Sequence, residues 1–172
     1  MSKLSLILMG TVLALSAGGN PATARILGPD AQSCQTQGDT PGVLVRVDGF
    51  KARTGVLRVQ AYGSNPSDFL AKGKKIKRID VPVTKSGPMD VCMTLPKAGR
   101  YAIAVRHDLD GNGKSSWSDG GGFSRNPRLS LANLKPSYQD VAIDVDSKIK
   151  PLSILLNYRR GLSIQPVGAA ES

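Results

Sequence analysis

The chain has few aromatic residues, 5% of 172, with one Trp, one His and two Cys. A single histidine excludes a multi-histidine metal centre, and it leaves one candidate general base. No G-x-S-x-G turn is present to raise a nucleophilic serine. The scarcity of rings also removes the stacking platform that single-stranded nucleic-acid binding uses, and nucleic acid is not among the expected partners. No apolar run reaches the 18 residues of a membrane-spanning helix, and no internal repeat is found. What the chain has instead is 19 Gly, 11 Pro, 40% apolar residues and a net charge of +10. That apolar content suits a folding globular chain and excludes disorder or collagen-like repeats, while the Gly and Pro point to many turns.

The opening MSKLSLILMGTVLALSAGG places Lys3 before an apolar stretch from Leu4 to Ala17. At about 14 residues this stretch is too short to span a bilayer. Asn20-Pro21 follows, then Ala22-Thr23-Ala24, with small residues suited to signal peptidase. Residues 1–24 are therefore expected to be a cleaved signal peptide, with a periplasmic or secreted product and no transmembrane anchor after cleavage. In an oxidising compartment Cys34 and Cys92 are expected to pair. Apolar residues alternate through Met89–Leu95, which puts Cys92 on the face away from the main core, so the bond would pin the N-terminal tail to the outside of the domain. Closing that loop is worth roughly 4 kcal/mol on a chain-entropy model.

Residues 25–41 show no periodicity and read as a tail. From residue 42, period-two segments succeed one another: Val43/Val45/Val47, Leu57/Val59/Ala61, Ile79/Val81/Val83, Met89–Leu95, Tyr101/Ile103/Val105/His107, Val141/Ile143/Val145 and Leu152/Ile154/Leu156/Tyr158. Pro82 marks the third as an edge strand, and the small Ala102 and Ala104 mark the fifth as central. The one short helical signal is Asn65-Pro66-Ser67-Asp68, with Asn as cap and Gly73 as terminator. Seven short strands joined by turns predict an all-β, seven-stranded antiparallel β-sandwich over residues 42–160, with a fraying tail over 161–172.

After the fifth strand comes His107-Asp108-Leu109-Asp110-Gly111-Asn112-Gly113-Lys114-Ser115-Ser116-Trp117-Ser118-Asp119. With Asp108 as position 1, the oxygens of Asp108, Asp110, Asn112, Ser116 and Asp119 and the Lys114 carbonyl fall where a D-x-[DN]-x-[DN]-G loop wraps Ca²⁺, and Gly113 permits the sharp turn. Position 12 is Asp rather than Glu, and the loop leaves a strand rather than a helix, which predicts an affinity of about 10⁻⁴ to 10⁻³ M and a structural role. The same residues also read as a solvated Gly/Asn/Asp turn. Trp117 and Phe123 either plug the end of the sandwich or form a sugar- or peptide-binding platform. A second reading makes the chain a metal-dependent, hydrolase-like enzyme using His107, Asp108 and Asp119, although it lacks a nucleophile. A structural site would be closed by protein oxygens, whereas a catalytic one would keep an open position.

Lys72, Lys74, Lys75, Lys77 and Arg78 crowd the start of the third strand. They predict either contact with an anionic envelope component or protection of an exposed sheet edge.

The run from Leu95-Pro96-Lys97-Ala98-Gly99-Arg100-Tyr101 through Val105-Arg106-His107-Asp108 to DGNGK, followed by Gly122-Phe123-Ser124-Arg125-Asn126, resembles the bacterial exported family known as domain of unknown function 2141. The resemblance covers about residues 43–160. It implies a periplasmic or secreted, prealbumin-like or immunoglobulin-like sandwich, and it implies no activity. Here the stretch before the GFS segment is shortened to SSWSDGG.

Overall fold

A computed structural model describes residues 25–36 and 38–167; the signal segment read over residues 1–24 lies outside the described residues. In chain order the elements are β1 (Ile26–Leu27), α1 (Ala31–Thr36), β2 (Gly42–Asp48), β3 (Val56–Tyr62), a 3-10 turn (Pro66–Asp68), β4 (Lys77–Pro82), β5 (Met89–Thr94), β6 (Gly99–Asp108) and β7 (Gly120–Phe123). They continue with α2 (Tyr138–Val141), β8 (Ala142–Val145), β9 (Ile149–Leu155), β10 (Asn157–Arg160) and β11 (Ser163–Pro166).

Alternation builds two sheets. The smaller has the order β1-β5-β2-β9, and the larger β11-β10-β7-β6-β3-β4, with β8 also paired to β6. Val43, Val45, Val47, Met89, Val91, Met93 and Ile154 of the smaller sheet meet Leu57, Val59, Ile79, Ile103, Val105 and Tyr158 of the larger one in a single buried cluster, which makes the protein an all-β sandwich. The far face of the larger sheet is covered too. Ala102 and Ala104 lie there beneath Tyr62, Phe123, Leu129, Tyr138 and Val141. The two alanines thus mark a strand packed on both sides, and β4 does lie at the sheet edge.

Several expectations about strands are corrected. The segment 152–158 is not one strand. Its inward residues keep alternating, but β9 pairs with β2 in the smaller sheet while β10 pairs with β7 in the larger. The chain changes sheets at Leu156, whose N–H donates to the Asp48 carbonyl at 2.9 Å. β2 and β9 run parallel, as do β1 and β5, so the smaller sheet is mixed rather than antiparallel. β7, a GGGF segment, carries no hydropathy pattern to read. Gly120 and Gly122 are there for close approach. A Cβ at Gly122 would lie 2.7 Å from Ile154 Cγ2 and 2.8 Å from the Leu155 carbonyl oxygen, and one at Gly120 would overlap the Tyr158 ring.

Residues 25–41 are more than a tail, because β1 pairs with β5 and α1 carries a buried Cys34 bonded to Cys92. Cys92 is fully buried beneath α1, on the sheet face opposite the main core as expected. Asp30 adds a second clip, accepting from the Thr94 N–H at 2.8 Å and pairing with Lys77. Burial pushes the Asp30 carboxyl up, but Lys77 and the Thr94 donors outweigh it and hold the group below the ordinary range. At the other terminus, β11 pairs with β10 over four positions where fraying was expected.

Candidate cation-binding loop

β6 is ten residues long and is the sheet's longest strand. One of its edges pairs with β3; the other pairs with β8 at Gly99–Ala102 and with β7 at Ala104–His107. Ile103 falls in the gap between these partners. Ser124 closes it: its N–H donates to the Ile103 carbonyl at 2.9 Å, and its Oγ accepts the Ile103 N–H at 3.1 Å and donates to Val141 O. Asn126 does similar work on β9, donating from Nδ2 to the Ser153 carbonyl at 3.0 Å and accepting the Leu155 N–H at 2.8 Å. The GFSRN segment therefore completes sheet edges.

His107 is fully buried near the end of β6. Its Nε2 lies 2.8 Å from the Thr54 carbonyl oxygen, which can only accept, so Nε2 carries the proton. Nδ1 then accepts from the Tyr158 hydroxyl at 2.6 Å, and that hydroxyl in turn accepts the Lys51 N–H at 3.2 Å. The phenol is protonated at neutral pH, and burial pushes it up to about 12, further still from ionisation. With both nitrogens engaged and no exposed edge, His107 offers no base to a substrate.

Asp108 follows and is 1% exposed. A buried carboxylate needs partners, and its Oδ2 has two: the Gly113 N–H at 2.9 Å and the Arg106 guanidinium at 3.0 Å. Burial pushes its carboxyl up, but the Gly113 N–H, the Arg106 charge and the neighbouring Asp110 and Arg58 together hold it below the usual range. Oδ1 is buried without a hydrogen-bond partner, and so is Arg106 Nε. Arg106, on the same strand face two residues earlier, braces the loop from beneath by also donating to the Gly113 carbonyl at 3.0 Å and Ser115 Oγ at 2.7 Å. Gly55 lets the loop settle, since at φ +77° a Cβ there would lie 2.6 Å from the Leu109 carbonyl oxygen.

The loop then turns through Gly111 (φ +67°) and Gly113 (φ +80°) and brings back Asp110 and Asp119. One carboxylate oxygen each from Asp108, Asp110 and Asp119 lies within 4.8 Å of the other two. Three of the six expected ligands therefore converge. Asn112 and Ser116 hydrogen-bond to the carboxylates. Asn112 Nδ2 donates to Asp110 Oδ2 at 2.6 Å while its Oδ1 accepts the Lys114 N–H at 2.7 Å. The Ser116 N–H and Oγ donate to Asp119 at 3.1 and 3.0 Å, and the Leu109 N–H adds a contact at 3.3 Å. Lys114, whose N–H is the one that Asn112 accepts, is exposed.

Trp117 is not a plug. It is 66% exposed with the Arg159 guanidinium 4.8 Å from its ring centroid, whereas Phe123 is buried in the outer cluster. The lysine-rich segment is largely paired: Lys77 with Asp30, Arg78 with Asp80, and Lys74 with Asp68 at 3.7 Å. Lys72 is exposed and Lys75 half-buried, neither with an ion pair among the described residues. Sequence reasoning overlooked Arg106 as a brace, although its two-residue spacing from Asp108 places both on one face.

The fold and this loop define a class, a two-sheet β-sandwich domain with an acidic loop between two adjacent strands of the larger sheet. A family model described as an uncharacterized protein conserved in bacteria, domain of unknown function 2141, matches residues 45–152, and the chain belongs to that family. No curated protein and no solved structure matches. The matched span holds the acidic loop, while Cys34 and the β10–β11 hairpin lie outside it.

Proposed function

We propose that this is an exported, non-enzymatic sandwich whose Asp108–Asp119 loop holds Ca²⁺ as a structural ion, on a domain that meets an anionic envelope component. The observation that carries the metal reading is the convergence of three carboxylates around a buried Asp108 with one unpartnered oxygen. Three carboxylates against one guanidinium leave the centre negative, and hard oxygen donors suit calcium over softer metals. The buried His107, with both nitrogens engaged, supports a structural over a hydrolytic role. The Cys34–Cys92 bond and the signal-like opening support export. Within the basic segment 72–78, Lys72 and Lys75 are the cations without an ion pair among the described residues, and they are the ones it offers to an anionic surface.

Thermal denaturation with calcium tests the metal reading. A rise in Tm that saturates in the millimolar range, absent with Asp108→Asn, is expected. An unchanged Tm up to about 10 mM calcium, ten times the weakest expected Kd, contradicts it.

A further inference from the structure

We propose that the cleft beside Trp117 binds a small organic carboxylate, with a ring-sized apolar body in the cleft and its charge on Arg159. The cleft has a volume of about 150 Å³, and its apolar lining comes from Trp117, Phe123, Leu129, Leu134 and Ile164. A cavity of about that size accepts a single benzene ring. Arg159 supplies the charge complementarity. Its guanidinium carbon lies 4.8 Å from the Trp117 ring centroid, and its Nε donates to the Gly161 carbonyl at 3.1 Å, so two contacts orient the group beside the cleft. Its two terminal nitrogens have no hydrogen-bond partner among the described residues, and a carboxylate is the anion that a planar pair of N–H donors grips in bidentate fashion. The one acid in the lining, Asp119, is turned to the loop, where it accepts from Leu109 and Ser116. A guanidinium held open by an aromatic face beside an apolar cleft gives both halves of such a ligand a place. Arg159 and Ile164 lie beyond the family-matched span, so the cleft is built partly by this chain's own C-terminal hairpin.

The only tryptophan forms one wall, so its fluorescence reports occupancy directly. The purified protein is titrated with benzoate and with neutral benzamide to about 50 mM, a range that covers the weak binding of so small a ligand. The titration is run with calcium and again with EDTA. Saturable quenching by benzoate in either condition, at least tenfold weaker with benzamide and lost in Arg159→Gln while Tm is kept, is the expected result. Equal responses to the two compounds, no saturation with benzoate, or a wild-type response from Arg159→Gln overturns the proposal. The thermal response to calcium is read separately, so failure of the loop as a metal site and failure of the cleft remain distinguishable.

Discussion

Asp80 shows how charge is managed on the outer face of the larger sheet. Arg58 lies directly across from both Asp80 and Arg106, and two guanidiniums side by side would repel. Asp80 answers Arg58 at 2.9 Å and Asp108, two residues along β6, answers Arg106 at 3.0 Å, so each guanidinium has its own carboxylate. Burial raises the Asp80 carboxyl, yet hydrogen bonds and charges from Arg78 and Arg58 bring it from its ordinary 3.8 to about 2. A depressed carboxylate stabilises the fold above its unfolded value and loses that contribution as pH falls through its folded one. Stability followed by urea denaturation should therefore drop between pH 4 and pH 2, and Asp80→Asn should flatten that drop; an unaltered acid limb would remove Asp80 from the account. At the same scale, Tyr158→Phe strands His107 Nδ1 and the Lys51 N–H and should cost about 1–3 kcal/mol in urea unfolding. It should leave calcium binding untouched. Loss of calcium binding with it would show that His107 and Tyr158 belong to the site.

Among elements, β7 and the sheet change at Leu156 decide where the acidic loop lands. Gly122→Ala forces a methyl against Ile154 and the Leu155 carbonyl, and a cost of about 1–3 kcal/mol is expected from overpacking; a neutral substitution would mean that the two sheets have room to move apart here. β2 to β6 and β8 were legible because each turns an alternating apolar row to the core between the sheets, even where, as on β6, the other face is covered too. β7 was illegible because a strand chosen for close approach has no side chains to alternate. The sheet change was hidden for a different reason. Leu152, Ile154, Leu156 and Tyr158 all point inward on both sides of the break, so one unbroken period covers strands in two sheets. The acidic loop was read as a spacing of six oxygen ligands, and the carboxylates of Asp108, Asp110 and Asp119 lie close together. Which of them would reach a common centre depended on hydrogen bonds from Asn112 and Ser116 that residue type alone does not fix.

For the molecule as a whole, the N-terminal segment, with β1 and α1, is fastened to β5 by a disulfide spanning 58 residues and by the Asp30 cluster. Replacing both cysteines, Cys34→Ser with Cys92→Ser, should lower stability by about 2–4 kcal/mol. Both sheets and the calcium response should persist, because the acidic loop is built from β6 and β7. Circular dichroism with denaturant titration checks this, and loss of the β signal would mean that the sandwich depends on its clip. The central claim is that Asp108 anchors a cation site, and terbium, a calcium substitute excited through the nearby Trp117, tests it most directly. Saturable sensitised emission that calcium displaces, and that disappears in Asp108→Asn, is the predicted result. Emission absent from the wild-type protein, or equal in the Asp108→Asn variant, would contradict the account.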